Sequence, residues 1–148
     1  MMVEKMNRIP TWRIQLGAAE DRMRSSTFEW GRYDCAQAVV QVLEAITGED
    51  LSGRWAYTSQ REALDLSGAD LLAFAEREFA DLGLRKVDPY FAQSSDVAIA
   101  DTAGDGVLAF AFIGTGGTAL AVSAKGLVNV PLERVRVAWR VAPCHKQE

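Results

Sequence analysis

Apolar positions along the first half of the chain recur at helical spacing. Trp12, Leu16, Ala19 and Met23 lie four, three and four residues apart, which sets them on one helix face. Pro10 suits the first helical position of that run, and Ser25, Ser26 and Thr27 end it. A second helix starts at Asp34 or Cys35 and carries Val39, Val40, Leu43 and Ile46 to Gly48, a natural stop residue. Ser59 followed by Glu62 fits a capping box opening a short helix through Leu64 and Leu66. Over 69–82, the residues Leu71, Leu72, Phe74, Ala75, Phe79 and Leu82 predict a fourth helix that stops at Gly83.

The period then changes. Segments 96–101, 107–113, 118–124, 127–130 and 135–141 read as five short strands, separated by TAGDG, GTGG, Lys125-Gly126 and a turn at 131–134. Short glycine-rich connections suit antiparallel neighbours, because parallel strands need long crossovers. Residues 106–124 carry no charge and approach the length of a membrane span, yet Gly114, Thr115, Gly116, Gly117 and Thr118 interrupt them, and a hairpin fits better. Helices first and a meander second is an α+β layout, read as one domain over 1–148.

Composition narrows the function classes. The 148 residues are 49% hydrophobic and 24% charged, an ordinary globular balance that needs neither a disulfide nor a metal to hold a core. A formal net charge of −4 argues against nucleic acid as partner. Two cysteines, Cys35 and Cys144, and one histidine, His145, make neither a disulfide framework nor a zinc cluster, so no cofactor is expected. The opening MMVEKMNRIP lacks the apolar core of a secretory signal, which predicts a soluble, cytoplasmic protein without a membrane partner.

Several features read as plain structure. Asp96, Asp101 and Asp105 surround the TAGDG turn without the ligand order of a calcium loop, and suit a charged hairpin turn. Gly114-Thr115-Gly116-Gly117 lacks the lysine and following helix of a phosphate cradle. Arg54, Arg61, Arg77, Arg85 and Lys86 read as solvated helix surface. Trp12, Trp30, Trp55 and Trp139 read as core and rim aromatics.

One segment carries chemistry: Phe28-Glu29-Trp30-Gly31-Arg32-Tyr33-Asp34-Cys35-Ala36. A thiol at a helix start faces unpaired backbone N–H groups and the positive end of the helix dipole, and both favour the thiolate. Set against this, a free cysteine is also among the residues most often simply buried.

The pattern FxWGxxDC, followed by a long helix and later by an antiparallel sheet, resembles the NlpC-type branch of the papain-like cysteine peptidase superfamily. It is most similar to a smaller group of uncharacterised phage and prophage proteins with the same core. The shared cues are WGRYDCA at 30–36, Thr47-Gly48-Glu49-Asp50, Gly53-Arg54-Trp55, Asp96-Val97-Ala98, Ala119-Leu120-Ala121-Val122, Gly126-Leu127-Val128 and Ala138-Trp139-Arg140. The resemblance implies N-terminal helices packed on a five-stranded sheet, with Cys35 as nucleophile. It implies a substrate-binding role for Asp34, and a papain-like fold would bring Trp30 and Tyr33 to the flanks of the cleft. The base histidine of that family begins a strand that here reads Ala119-Leu120-Ala121-Val122, so Ala119, or Thr118 with a one-residue slip, takes its position. Asn129 falls where the third, orienting residue belongs. The implied cleft has Trp30, Tyr33, Asp34 and Cys35 on one wall and Ala119 and Asn129 opposite.

Two functions follow from the resemblance. One is a tail- or virion-associated module with a degenerate cysteine-hydrolase site, whose partners are phage structural proteins or peptidoglycan peptides. The alternative is an active thiol-dependent peptidoglycan peptidase or amidase using Cys35. A lost proton shuttle, typically worth about 10²–10⁴-fold, weighs against the alternative. A weaker third reading is acyl or redox transfer through the Cys35 thiol alone.

Overall fold

Four helices and a six-stranded antiparallel sheet account for the periodicities; the computed structural model describes residues 6–68 and 70–143. Helix α1 (Trp12–Arg24) has Thr11 at its N-cap, so Pro10 precedes the helix rather than opening it, and the face with Leu16, Ala19 and Met23 is buried. Helix α2 (Cys35–Thr47) is capped by Asp34, whose side chain accepts from the Gln37 N–H, and it ends at Gly48 in the left-handed region. Helix α3 (Gln60–Ser67) is capped by Ser59, which accepts from the Glu62 N–H, while the Glu62 carboxylate reaches back to Thr58. Leu64 and Leu66 do not seat this helix in the core: α3 buries no residue, and both leucines are exposed. Helix α4 (Leu71–Asp81) buries Phe74, Ala75 and Phe79.

The strands are β1 (Arg85–Val87), β2 (Val97–Asp101), β3 (Leu108–Ile113), β4 (Ala119–Ser123), β5 (Gly126–Val130) and β6 (Val135–Arg140). Their order, β1-β6-β2-β3-β4-β5, corrects the sequence expectation twice. The sheet has six strands rather than five, because the short edge strand β1 carries too little alternation to be read from sequence. The last strand does not extend the meander either; β6 returns to pair with β2 and β1. Arg85 and Lys86 accordingly sit on β1, not on a helix, and Lys86 Nζ pairs with Glu76 of α4 at 2.7 Å. Arg54 lies in the turn before α3 and pairs with Glu78 and Asp81 of α4 at 3.1 and 2.9 Å. Residues 106–124 form β3, β4 and their turn, and among the described residues no helix is long and apolar enough to cross a membrane.

Strand alternation divides the sheet into two faces. Val97, Ile99, Phe110, Phe112, Leu120, Val122 and Trp139 join the helices in the main core. Trp55 stacks on Phe110 with ring centroids 5.2 Å apart, and Phe79 meets Trp139 at 4.8 Å. The other face is built from small residues, Ala98, Ala100, Ala111, Ala119, Ala121 and Ala138, clustered with Ile113, Val130 and Val135.

One buried ion pair fixes how β6 meets β2. Asp96 is fully buried just before β2 and accepts from Arg140 Nε and Nη2, both at 2.9 Å. The same carboxylate accepts from the Gln93 N–H, and Arg140 also donates to the Phe91 carbonyl, so both partners are held by further hydrogen bonds. Asp101, at the far end of β2, closes the following turn by accepting from the N–H groups of Gly104 and Gly106 at 2.8 and 3.0 Å. Its role is that of a hairpin-turn residue. Breaking a buried pair strands one charge in the interior, so Arg140→Met lowers stability by about 3–5 kcal/mol in urea unfolding, and Asp96→Leu combined with Arg140→Met recovers much of that loss.

Candidate functional site

The Cys35 site is built where α2 starts and β4 leaves β3. β2 pairs with β3 from Leu108 to Phe112, but β4 pairs with only Phe112 and Ile113. The 108–111 half of β3 therefore has no β4 partner, and the start of α2 approaches it. There the Phe110 backbone N–H donates to the Cys35 sulfur. A cavity of about 660 Å³ opens beside this contact. Its walls are the α2 start with Trp30, the α3 residues Ala63 and Leu64, the α4 residues Leu71 and Phe74, and 107–110 of β3.

Asp34 anchors the floor. It is 1% exposed, and its carboxylate accepts from the N–H groups of Gly31 and Gln37 at 2.8 and 2.9 Å and from the Tyr57 hydroxyl at 2.7 Å. Gly31 has φ +84°, and a Cβ there would lie 1.9 Å from the Tyr57 carbonyl oxygen, so only glycine permits this approach. Gln37 donates to the Trp55 carbonyl at 2.6 Å. Trp55 donates through its indole N–H to Glu78. The polar groups of the floor are thus spent on one another.

This arrangement sets the state of the thiol. Burial, joined by the adjacent Asp34 charge, pushes the Cys35 thiol up to about 11 against lowering contributions from the Phe110, Ala36 and Cys35 backbone N–H groups. The helix start does favour the thiolate, as its position in the sequence suggests, but desolvation outweighs it and Cys35 is a neutral thiol near pH 7. Tyr57 is raised too, first by burial and then by its hydrogen bond to Asp34.

The residues singled out in the sequence divide into two groups. Trp30, Asp34 and Cys35 all line the cavity. Tyr33 does not flank it: the ring is buried in the core and its hydroxyl donates to the Met23 carbonyl at 2.6 Å. Ala119 is not opposite Cys35 either, because alternation along β4 turns Leu120 toward the helices and Ala119 to the other face. Asn129, paired with Leu120 across the ladder, is exposed on β5 and lies outside the cavity lining. The wall facing Cys35 is instead Leu108 and Phe110. The large-small alternation Leu108-Ala109-Phe110-Ala111-Phe112 was the available signal for which strand presents bulk to the helices. Tyr57 and the α3 wall carried no local signal. Cys144 and His145 lie outside the described residues.

Two measurements test this description. In a Cys144→Ser background, the rate of Cys35 alkylation by iodoacetamide rises with an inflection near 11, far above the value of about 8.5 for free cysteine. Asp34→Ala leaves buried donors unpaired and lowers stability by about 1–3 kcal/mol in urea unfolding, whereas an Asp34 reserved for ligand would leave the midpoint unchanged.

The sequence profile of a family described as "Domain of unknown function (DUF6950)" matches residues 7–141. No match was found among the curated proteins. The matched span takes in the cysteine segment, all four helices and the whole sheet, and the chain belongs to the DUF6950 family.

Proposed function

We propose that the chain is a non-hydrolytic, NlpC-like binding module of phage or prophage type, holding a segment of a tail or virion protein at the Cys35 cavity. The observation that carries this reading is the setting of Cys35: a buried thiol held against the Phe110 backbone, beside a cavity wall of Leu108 and Phe110. A cysteine hydrolase needs a base within about 2.6–3.2 Å of its thiol to take the proton and return it to the leaving group. Apolar side chains occupy the wall from which that base would act. The placement of a cysteine at the start of a long helix packed on an antiparallel sheet supports kinship with the papain-like core, and fold leaves activity open.

The polar floor bears on the second reading, a peptidoglycan peptidase or amidase. Cell-wall stem peptides are rich in carboxylates, and a polar group buried without a partner is unfavourable by about 1–3 kcal/mol on protein scales. Asp34, Tyr57 and Gln37 already hydrogen-bond within the protein and leave little to replace that hydration.

Purified peptidoglycan incubated with the protein is expected to release no new peptide or amine termini above a buffer control, with Cys35→Ala indistinguishable from the parent. Release that disappears in Cys35→Ala would replace the binding reading with the peptidase reading.

A further inference from the structure

The cavity has an unusual wall. Antiparallel pairing directs the backbone groups of alternate residues to opposite sides of a strand. The Ile113 N–H donates to the Asp96 carbonyl, on the β2 side, so 109 and 111 also address β2 while 108 and 110 address the other side. On that other side β4 pairs only with Phe112 and Ile113. Cys35 receives the Phe110 N–H, and residues 107–110 line the cavity. Half a strand edge therefore faces an apolar cavity rather than a neighbouring strand.

The rest of the lining constrains an occupant. Its one exposed acidic side chain is Asp70, Asp34 being buried and already hydrogen-bonded, and among the described residues it holds no lysine or arginine. Apolar surface continues out of the cavity onto the rim, where Leu64, Leu66 and Val107 are exposed by 53%, 41% and 66%. Helix α3, which supplies the outer wall, buries none of its own residues and ends at Gly68 in the left-handed region.

We infer that this cavity is a strand-addition site: an extended, apolar segment of a partner protein, uncharged or basic, pairs with the Leu108 backbone groups and the Phe110 carbonyl on the open edge of β3, beside the Phe110 N–H that Cys35 takes, and is covered by α3. This rests on the binding-module reading and specifies its ligand. Main-chain pairing supplies affinity and the cavity selects alternate side chains, the usual division in recognition by strand addition. The exposed apolar face of α3 gains a partner when the segment is in place. Strand edges are otherwise blunted or covered, and here the cover is the ligand.

The test uses the whole protein and three acetylated, amidated hexapeptides, titrated by intrinsic tryptophan fluorescence. The first has alternating valine and leucine between terminal lysines; the second has glutamates in place of the lysines. The third keeps the lysines and is N-methylated at every amide between them, so neither of its edges can pair as a strand. The lysine peptide is expected to bind at least about tenfold more tightly than either of the others. Amide exchange over 60–67 and at Leu108 should slow in its presence. Leu64→Ser, on an exposed position, removes apolar surface without adding charge and should weaken binding by about tenfold without moving the urea midpoint. Ala36→Phe, which places a ring in the cavity, should also weaken binding by about tenfold or more, and unchanged binding overturns the site. Equal binding of the N-methylated peptide overturns strand pairing, and preference for the glutamate peptide overturns the charge assignment. Absence of saturable binding by the lysine peptide up to millimolar concentration overturns the site. None of these outcomes involves peptide release by Cys35, so failure here is distinct from the appearance of peptidase activity.

Discussion

The buried Asp34 carboxylate is the constraint on which the site depends. It caps α2, holds the Gly31 loop, and receives the Tyr57 hydroxyl from the segment before α3. Two stretches, 31–37 and the distant Tyr57, meet at one side chain, and the close approach of Gly31 to the Tyr57 carbonyl leaves no room for their spacing to vary. With α2 anchored there, its first residue, Cys35, has one place to go: against the half of β3 that β4 does not cover. The cavity, the thiol and the open strand edge are consequences of a single junction.

That junction also decides the chemistry of the thiol. A cysteine at a helix start gains from the dipole and from nearby N–H donors, an effect confined to the first turn. Here the cap that makes the helix possible is itself a carboxylate next to the sulfur, and its charge opposes the thiolate. Burial against aromatic rings adds the larger penalty for charge. The same residues that build the helix start thus withhold the activation that a bare helix start would give.

Much of this architecture is legible in the sequence because it is local. The Asp34 cap, the Gly48 stop, the Ser59 cap of α3 and five strand segments follow from spacing and turn chemistry within a few residues. What escapes is non-local. Three residues of β1 carry no alternation, and the return of β6 to β2 rests on the contact of Asp96 with Arg140, 44 positions away. The cleft wall turns on strand parity, where one position exchanges faces: Ala119 belongs to the outer face while Leu120, beside it, meets the helices. Tyr33 stands next to Asp34 in sequence, yet its hydroxyl is committed to Met23. Proximity along the chain says little about which side of a turn a ring will take.

The divergence of β4 from β3 has a physical consequence beyond making room. A sheet interior satisfies its backbone groups on both sides, whereas β3 does so fully only at Phe112 and Ile113. The missing half-ladder is not replaced by another strand. It faces a thiol and an apolar space. A hydrolytic site would spend that space on an imidazole and a polar pocket for a developing oxyanion. Leu108 and Phe110 fill the wall with side chains that neither move protons nor stabilise charge, and they lie on a strand whose own edge can still form hydrogen bonds. An extended apolar chain, as proposed above, would satisfy both properties of the wall at once.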